Sequence, residues 1–567
     1  MKAQKIIACI LGVSVLYGML STGPVSVCGE EMPVLIEADS IEDAEENGGN
    51  GETNGYHTLS YEVPSVNAVD TYEIVPLTSG LPDHYDSRDN HCITPVRNQG
   101  SYGTCWAFAA INSAETDMVM DGRIPVASAD LSEAQFAYFF YHRIPDPLGG
   151  TDGDIVSTSR NYLSIGGNNQ LSTLALATWI SPAEESVMEY GKIASYSSAN
   201  VRKDMAYSSD AAHLQNAYWI SMSDETVLKE MIMEYGAVAT SYYSDSNYYT
   251  GSHRYYYYPF DSAQNHAVSI VGWDDTIPAD AFTVTVDGST YTPSRNGGWL
   301  IKNSYGANWS SDGYFWLSYA DRSLLNSQNM GVVFDYEAAD NYDNNYQYDG
   351  TVSLSRLGYA SQSSCYNANV FTTQAAEDLE AVGFYTTEPG MEYRIQIYRN
   401  VKEGSPLGTA VFTSPVTGIA EYAGYHTVSL GKKVELNAGE SYSVVVQYIN
   451  PSGSVSFFID KSVNYDWLQC ISANQSGQGY FSLNGTAWQD CSTAYNANIR
   501  IKAFTNYRST GGTISGVVPT TGVALNYNTY SLLKNQKLTL TAVVQPDDAT
   551  DQSVSWSSSN SSVAVVD

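Results

Sequence analysis

"RNQGSYGTCWAF", residues 97–108, sets one cysteine and one tryptophan at the end of a Gly/Ser-rich turn, and the apolar stretch "CWAFAAINSAETDMVM" follows from Cys105. A cysteine in such a place is usually a small buried hydrophobe. Three features favour a nucleophile instead. A helix starting near Cys105 would set the thiol at its N-terminus, where the dipole favours thiolate. Gln99 lies across Gly100 and Gly103. Such a turn can aim the Gln99 amide where the Cys105 N–H also points, and two converging donors make an oxyanion hole. The remaining parts stand downstream: His266 opens "HAVSIVGW" and Asn303 ends a strand in "GWLIKNS".

The chemistry explains these residue types. A thiolate attacks a peptide carbonyl, and a histidine first keeps the thiol ionised and then protonates the leaving amine. An amide oxygen on the other ring nitrogen fixes the imidazole's tautomer and orientation. Taken singly, each motif has a bland reading: a strand-opening histidine is often structural, and an asparagine after a strand is usually a turn residue.

Together and in this order, these residues resemble the papain-like cysteine peptidases. The resemblance covers about residues 81–336, with "LPDHYDSRD" like the family's mature start, "LSEAQF" like its second helix and "NSYGANWSSDGYFWLSY" like its closing segment. It implies Gln99 as oxyanion donor, Cys105 as nucleophile, His266 as base and acid, and Asn303 as orienting residue. It implies that Trp309 shields the Asn303–His266 contact. Gly166 and Gly167 would bind extended substrate by strand addition. Laying "NMGVVFD" on the family's Cys-Gly segment puts Asp335 at the floor of the S2 pocket, with Ala267 lining it. An Arg or Lys at P2 is then expected. The chain departs from the family at Tyr102, where a cysteine is usual, and at Ser304-Tyr305, where a tryptophan is commoner. No long helical pro-segment precedes Leu81.

The implied fold class is α+β: a two-lobed peptidase domain, with a helical lobe and a β-barrel-like lobe, then an all-β sandwich and a partial Ig-like β domain. At roughly 150 residues per domain, a chain of 567 residues holds three or four units. Residues 1–28 have the Lys2/Lys5 start and apolar run of an export signal. Residues 29–80 are acidic and form a linker or pro-segment. The peptidase domain spans 81–340. Within it Ser132 and Ser223 are candidate helix N-caps, Gly236 a helix stop, and Asp287-Gly288 a hairpin turn. "DNYDNNYQYDG", residues 340–350, has calcium-type oxygens without a known spacing, and a solvated linker is the expectation. Residues 341–506 alternate as short strands and resemble a lectin-like domain. A linker at 507–516 leads to an incomplete bacterial Ig-like domain at 517–567.

A net charge of −34, from 61 acids against 27 bases, argues against nucleic-acid partners. No stretch is apolar enough to span a bilayer after the signal. The expected partners are protein or peptide substrates, with a cell-surface glycan or cell-wall ligand for 341–506. No cofactor and no metal are expected, and the location is extracellular. The expected disulfide joins Cys470 and Cys491, which are close in sequence and fall in the same expected domain. The rival readings are a non-catalytic adhesin on the same fold and a thiol enzyme acting on cell-wall peptides.

Overall fold

The computed structural model describes residues 31–39, 55–66, 80–143, 154–158, 160–207 and 210–508, with short pieces at 522–525, 540, 542–545 and 554. The expected export signal lies outside the described residues, as do most of the linker at 507–516 and of the Ig-like segment.

Helix α1, Cys105–Met120, is buried from Cys105 to Met118. A helix apolar all round belongs in a core, and its few polar residues need partners there. They have them: Asn112 accepts from Lys302, Glu115 pairs with Arg97 at 2.6 Å, and Asp117 accepts from the Tyr336 N–H at 2.7 Å. Helix α2, Glu133–Tyr141, starts as expected, with Ser132 Oγ accepting from the Gln135 N–H at 2.9 Å. Helix α3, Asn169–Leu176, is capped by Asn168, whose side chain accepts from Gln170 and Leu171.

Strand β1, Ala212–Ser221, leads into helix α4, Glu225–Tyr235, which stops at Gly236 with φ 77°. The N-cap of α4 is Asp224, one residue after the expected Ser223. The Asp224 carboxylate accepts from Ser65 and from the Val66 N–H, so it ties an upstream segment to the domain. Then come β2 (Val238–Tyr242), β3 (His266–Asp274), β4 (Gly298–Lys302), β5 (Tyr314–Ser318) and β6 (Met330–Ala338). The sheet order is β1-β6-β2-β3-β4-β5, antiparallel throughout. The Asp287-Gly288 turn forms between Val284–Val286 and Ser289–Tyr291, both turn residues having positive φ.

The second β region is the expected sandwich, but it is not detached. Strand Ala423–Leu436 pairs with β1 from Ala423 opposite Trp219 to His426 opposite Asn216, so one sheet runs through both domains. One apolar cluster likewise joins Trp106, Trp219 and Phe334 to Tyr425, Phe458 and Phe504. Residues 340–350 are not a solvated linker. Asn344–Tyr346 is a strand on Ile501–Tyr507, and Asp349 is buried against Lys502 at 2.8 Å. The polar side chains there balance buried cations. Cys470 and Cys491 form no bridge. Each is a buried thiol, and burial pushes both thiols up.

Candidate active site

Cys105 is the first residue of α1, as the turn before it predicts. Thr104 does not cap the helix, because its hydroxyl is 2.7 Å from the Tyr190 hydroxyl. The helix start is therefore open to a negative charge from elsewhere. The Ala267 N–H reaches Sγ at 3.4 Å, and the N–H groups of Cys105 and Trp106 lie close to the thiol. All three favour thiolate, yet burial outweighs them and pushes the thiol up to about 12.

The turn is held from several sides. Arg97 pairs with Glu115 and Asp130 at 2.6 Å and with Glu133 at 3.0 Å. The Gln99 N–H donates to Ser304 O at 2.8 Å, and Gly103 N–H to Leu163 O at 2.6 Å. Gln99 Oε1 accepts from Ser304 Oγ at 2.5 Å, while Nε2 donates to Tyr102 O at 2.8 Å. An amide nitrogen carries two hydrogens, so one donor of Gln99 remains beyond that bond.

His266 opens β3 and Asn303 follows β4, its neighbour in the sheet. His266 Nε2 lies 2.8 Å from Asn303 Oδ1. The same oxygen accepts from the Ser304 N–H at 2.8 Å, which fixes it as the acceptor. Nε2 therefore carries the proton of the neutral ring, and Nδ1 holds the lone pair. Nδ1 is buried and has no hydrogen-bond partner among the described residues. Burial lowers the imidazole to about 4.

Tyr305 stacks on His266, and Trp309 packs edge-on against Tyr305 at 5.5 Å. The shielding expected of Trp309 thus passes through Tyr305, one of the positions where the chain departs from the family's pattern. Asp335 is not brought to this cleft. It sits on β6 opposite Asn216, whose amide donates to it at 2.7 Å, and burial raises it to about 6. The next residue, Tyr336, donates its N–H to Asp117 in the last turn of α1 at 2.7 Å. At about 1.5 Å per residue, the helix puts about 18 Å between Asp117 and Cys105. The role at the S2 floor is corrected accordingly: the register that aligned Asp335 carries it past the pocket to the far end of α1.

Gly167 pairs with a stretch of the protein's own chain, and Gly166 packs against it. The Gly167 N–H donates to Gly55 O at 3.0 Å, and the His57 N–H to Gly167 O at 2.9 Å. An added Cβ at Gly167 would overlap the Trp106 ring, and one at Gly166 would overlap Gly55. Gly55, at φ 73°, crosses Gly103, whose own Cβ would stand 3.2 Å from the Gly55 Cα. Tyr56 enters the apolar cluster that holds Cys105, Ala239 and Ala267. His57 stacks on Trp467 of the β-rich domain at 4.1 Å, and Tyr61 donates to Thr387 O at 2.7 Å. Both domains therefore hold residues 55–66 over the cleft.

Residues 81–333 match the model of the papain family cysteine proteases, residues 345–505 that of the lectin-like domain, and residues 519–567 that of the bacterial Ig-like domain, group 2. Cysteine proteinase 1 of Zea mays is 27% identical over 254 residues, which cover 42% of this chain and 56% of that protein. A viral cathepsin of Heliothis zea nuclear polyhedrosis virus is 27% identical over 239 residues, covering 41% and 52%. The chain thus spans little more than half the length of these relatives. Among solved structures, the cysteine protease and lectin-like domains of Cwp84, a surface layer associated protein of Clostridium difficile, match with a TM-score of 0.62 at 22% identity. That match covers 84% of this chain and 99% of that one. The clostridial Cwp84 after propeptide cleavage gives 0.62 at 25% identity, covering 75% and 99%. The chain therefore carries a papain-like peptidase domain, a β-rich lectin-like domain and a segment of bacterial Ig-like type.

Proposed function

We propose that the chain is a cysteine endopeptidase that hydrolyses peptide bonds through Cys105, His266, Asn303 and Gln99. The observation that carries this reading is the 2.8 Å contact of His266 Nε2 with an Asn303 oxygen that can only accept. It leaves Nδ1 as the base. Once the cleft is open, Nδ1 takes the thiol proton and the thiolate attacks the scissile carbonyl carbon. The Cys105 N–H and the second hydrogen of Gln99 Nε2 stabilise the oxyanion. The imidazolium then protonates the leaving amine as the C–N bond breaks. Water, deprotonated by Nδ1, hydrolyses the thioester and the thiol is restored. The chemistry needs no cofactor.

Residues 29–80 act as a pro-segment, since residues 55–57 occupy the strand-addition site of Gly167. The domain at 341–506 holds a surface glycan or cell-wall ligand outside the cell, as the lectin-like match suggests. The test is hydrolysis of an unfolded protein by the full chain, with Cys105→Ala as control. Release of fragments from purified cell wall without cleavage of the protein would instead identify a wall-peptide enzyme. Activity equal in Cys105→Ala would remove Cys105 from the mechanism.

A further inference from the structure

One wall of the cleft beside Gly167 comes from the other domain. Residues 55–57 run alongside Gly167, and Gly55 crosses Gly103, two residues before Cys105. His57 therefore lies on the side of Gly167 away from the thiol. There its ring lies flat on the indole of Trp467, with centroids 4.1 Å apart and planes within 6°.

The indole is fixed from its own side. Trp467 stands in a turn closed by the Tyr465 N–H donating to Leu468 O at 2.9 Å, and its ring runs within 14° of that of Tyr465. The residues that follow, Gln469–Ile471, pair antiparallel with Ile155–Ser157 of the peptidase domain. That pairing holds Trp467 against the cleft without help from residues 55–57. The slot also has one polar edge. His57 Nε2 is 2.7 Å from Ile165 O, which can only accept, so Nε2 carries the hydrogen. Asn168 Oδ1 accepts from the Gln170 and Leu171 N–H groups, so its Nδ2 is the donor to His57 O at 2.7 Å. Backbone and side chain are thus both gripped at this position.

We infer that Trp467 of the β-rich domain is a specificity wall of the substrate cleft, selecting a flat side chain, histidine above all, at the position that His57 occupies. The inference rests on the peptidase reading above. Counted outward from Cys105, the places of Gly55, Tyr56 and His57 are P1, P2 and P3. An extended substrate sends alternate side chains to opposite faces whichever way it runs, so its P3 side chain takes the side of Trp467. Flat rings packed on an indole gain more than their buried area alone gives. A ring N–H also satisfies the Ile165 carbonyl, which phenylalanine leaves unpaired. Leucine offers neither.

The experiment uses the full chain with Gly55→Ala, whose added Cβ would meet the Gly103 backbone and unseat residues 55–57. The peptides differ only in His, Phe or Leu at P3. The expected kcat/KM of His over Leu is about tenfold, with Phe between them. Adding Trp467→Leu, which keeps apolar bulk and loses the flat face, should bring Phe and Leu level, and Trp467→Phe should keep them apart. Each ratio is taken within one variant, so loss of folded protein lowers both numbers alike. Equal cleavage of the three peptides, or a Phe-over-Leu preference that survives Trp467→Leu, overturns the inference and leaves the peptidase reading intact. If none of the peptides is cleaved, the peptidase reading fails, and alkylation of Cys105 by iodoacetamide in the uncut chain decides the wall. His57→Leu should then react severalfold faster than His57→Phe, and the two should react alike once Trp467→Leu is added. Equal rates without Trp467→Leu, or a difference that persists with it, would overturn the inference.

Discussion

Tyr305 lies flat against His266, with ring centroids 4.8 Å apart and planes within 17°. The stack covers the ring whose Nε2 bonds Asn303, and Trp309 backs it. A hydrogen bond kept from water is stronger than one in water. Tyr305→Ala should therefore lower kcat about tenfold, the effect of a loss near 1.4 kcal/mol, with KM little changed. Tyr305→Trp should keep most of the activity. A KM effect without a kcat effect would assign Tyr305 to substrate binding instead.

Gly55→Ala should loosen the pro-segment. Gly55 has φ 73° and an added Cβ there would overlap the Gly103 backbone. Strain of about 1–3 kcal/mol is expected at such a site. Iodoacetamide should label Cys105 in the uncut chain at least tenfold faster. An unchanged rate would mean that residues 55–57 do not guard the thiol.

Acidification should draw the segment off. Burial lowers His266 and His57 from 6.5 to about 4. The covered form thus binds fewer protons at these rings than an open form whose histidines titrate normally. Its stability from them is full above pH 6.5 and is lost as pH falls toward 4. Exchange of the Gly167 and His57 amides, corrected for intrinsic rates, should quicken from pH 7 to pH 4.5. Slower exchange at pH 4.5 would reverse the sign.

Gln99→Ala should reduce the chemical step by about 10²–10³, as for loss of one oxyanion donor. Asn303→Ala should cost less than His266→Ala, because it orients the ring and does not carry the proton. Single-turnover rates separate these steps from binding. The opposite ranking would make Asn303 a turn residue alone.

Ending the chain near residue 340 should damage the peptidase domain. The cut bares the edge of β1 from Asn216 to Trp219 and removes Tyr425, Phe458 and Phe504 from a shared cluster. Unpaired edges and stripped apolar faces aggregate. The shortened chain should melt at lower temperature and lose solubility. A soluble, fully active fragment would show that the shared sheet is dispensable.

Much of the site was legible in the sequence. Cys105 does open a helix, Ser132 does cap one, and His266 and Asn303 do meet across adjacent strands. These follow from local patterns: caps, turns and period-two runs. What escaped depends on long-range register. Asp335 was placed by counting along one strand, which cannot tell which end of α1 the strand passes. Tyr56 and His57 lie in an acidic stretch with no periodic signal, and their partners, Gly167 and Asn168, each stand 111 residues further along the chain. The buried strand at 344–346 looked solvated because its asparagines read as polar, while their partners, Thr505 and the Ala177 carbonyl, lie far along the chain.

The ladder between β1 and Ala423–Leu436 also sets a geometry of reach. Two domains that share a sheet do not swing on a hinge. Whatever the β-rich domain grips, the cleft stands at one height and one angle above it. Cleavage of an anchored array should then recur at a fixed spacing from the anchor, with the protein serving as ruler as well as blade.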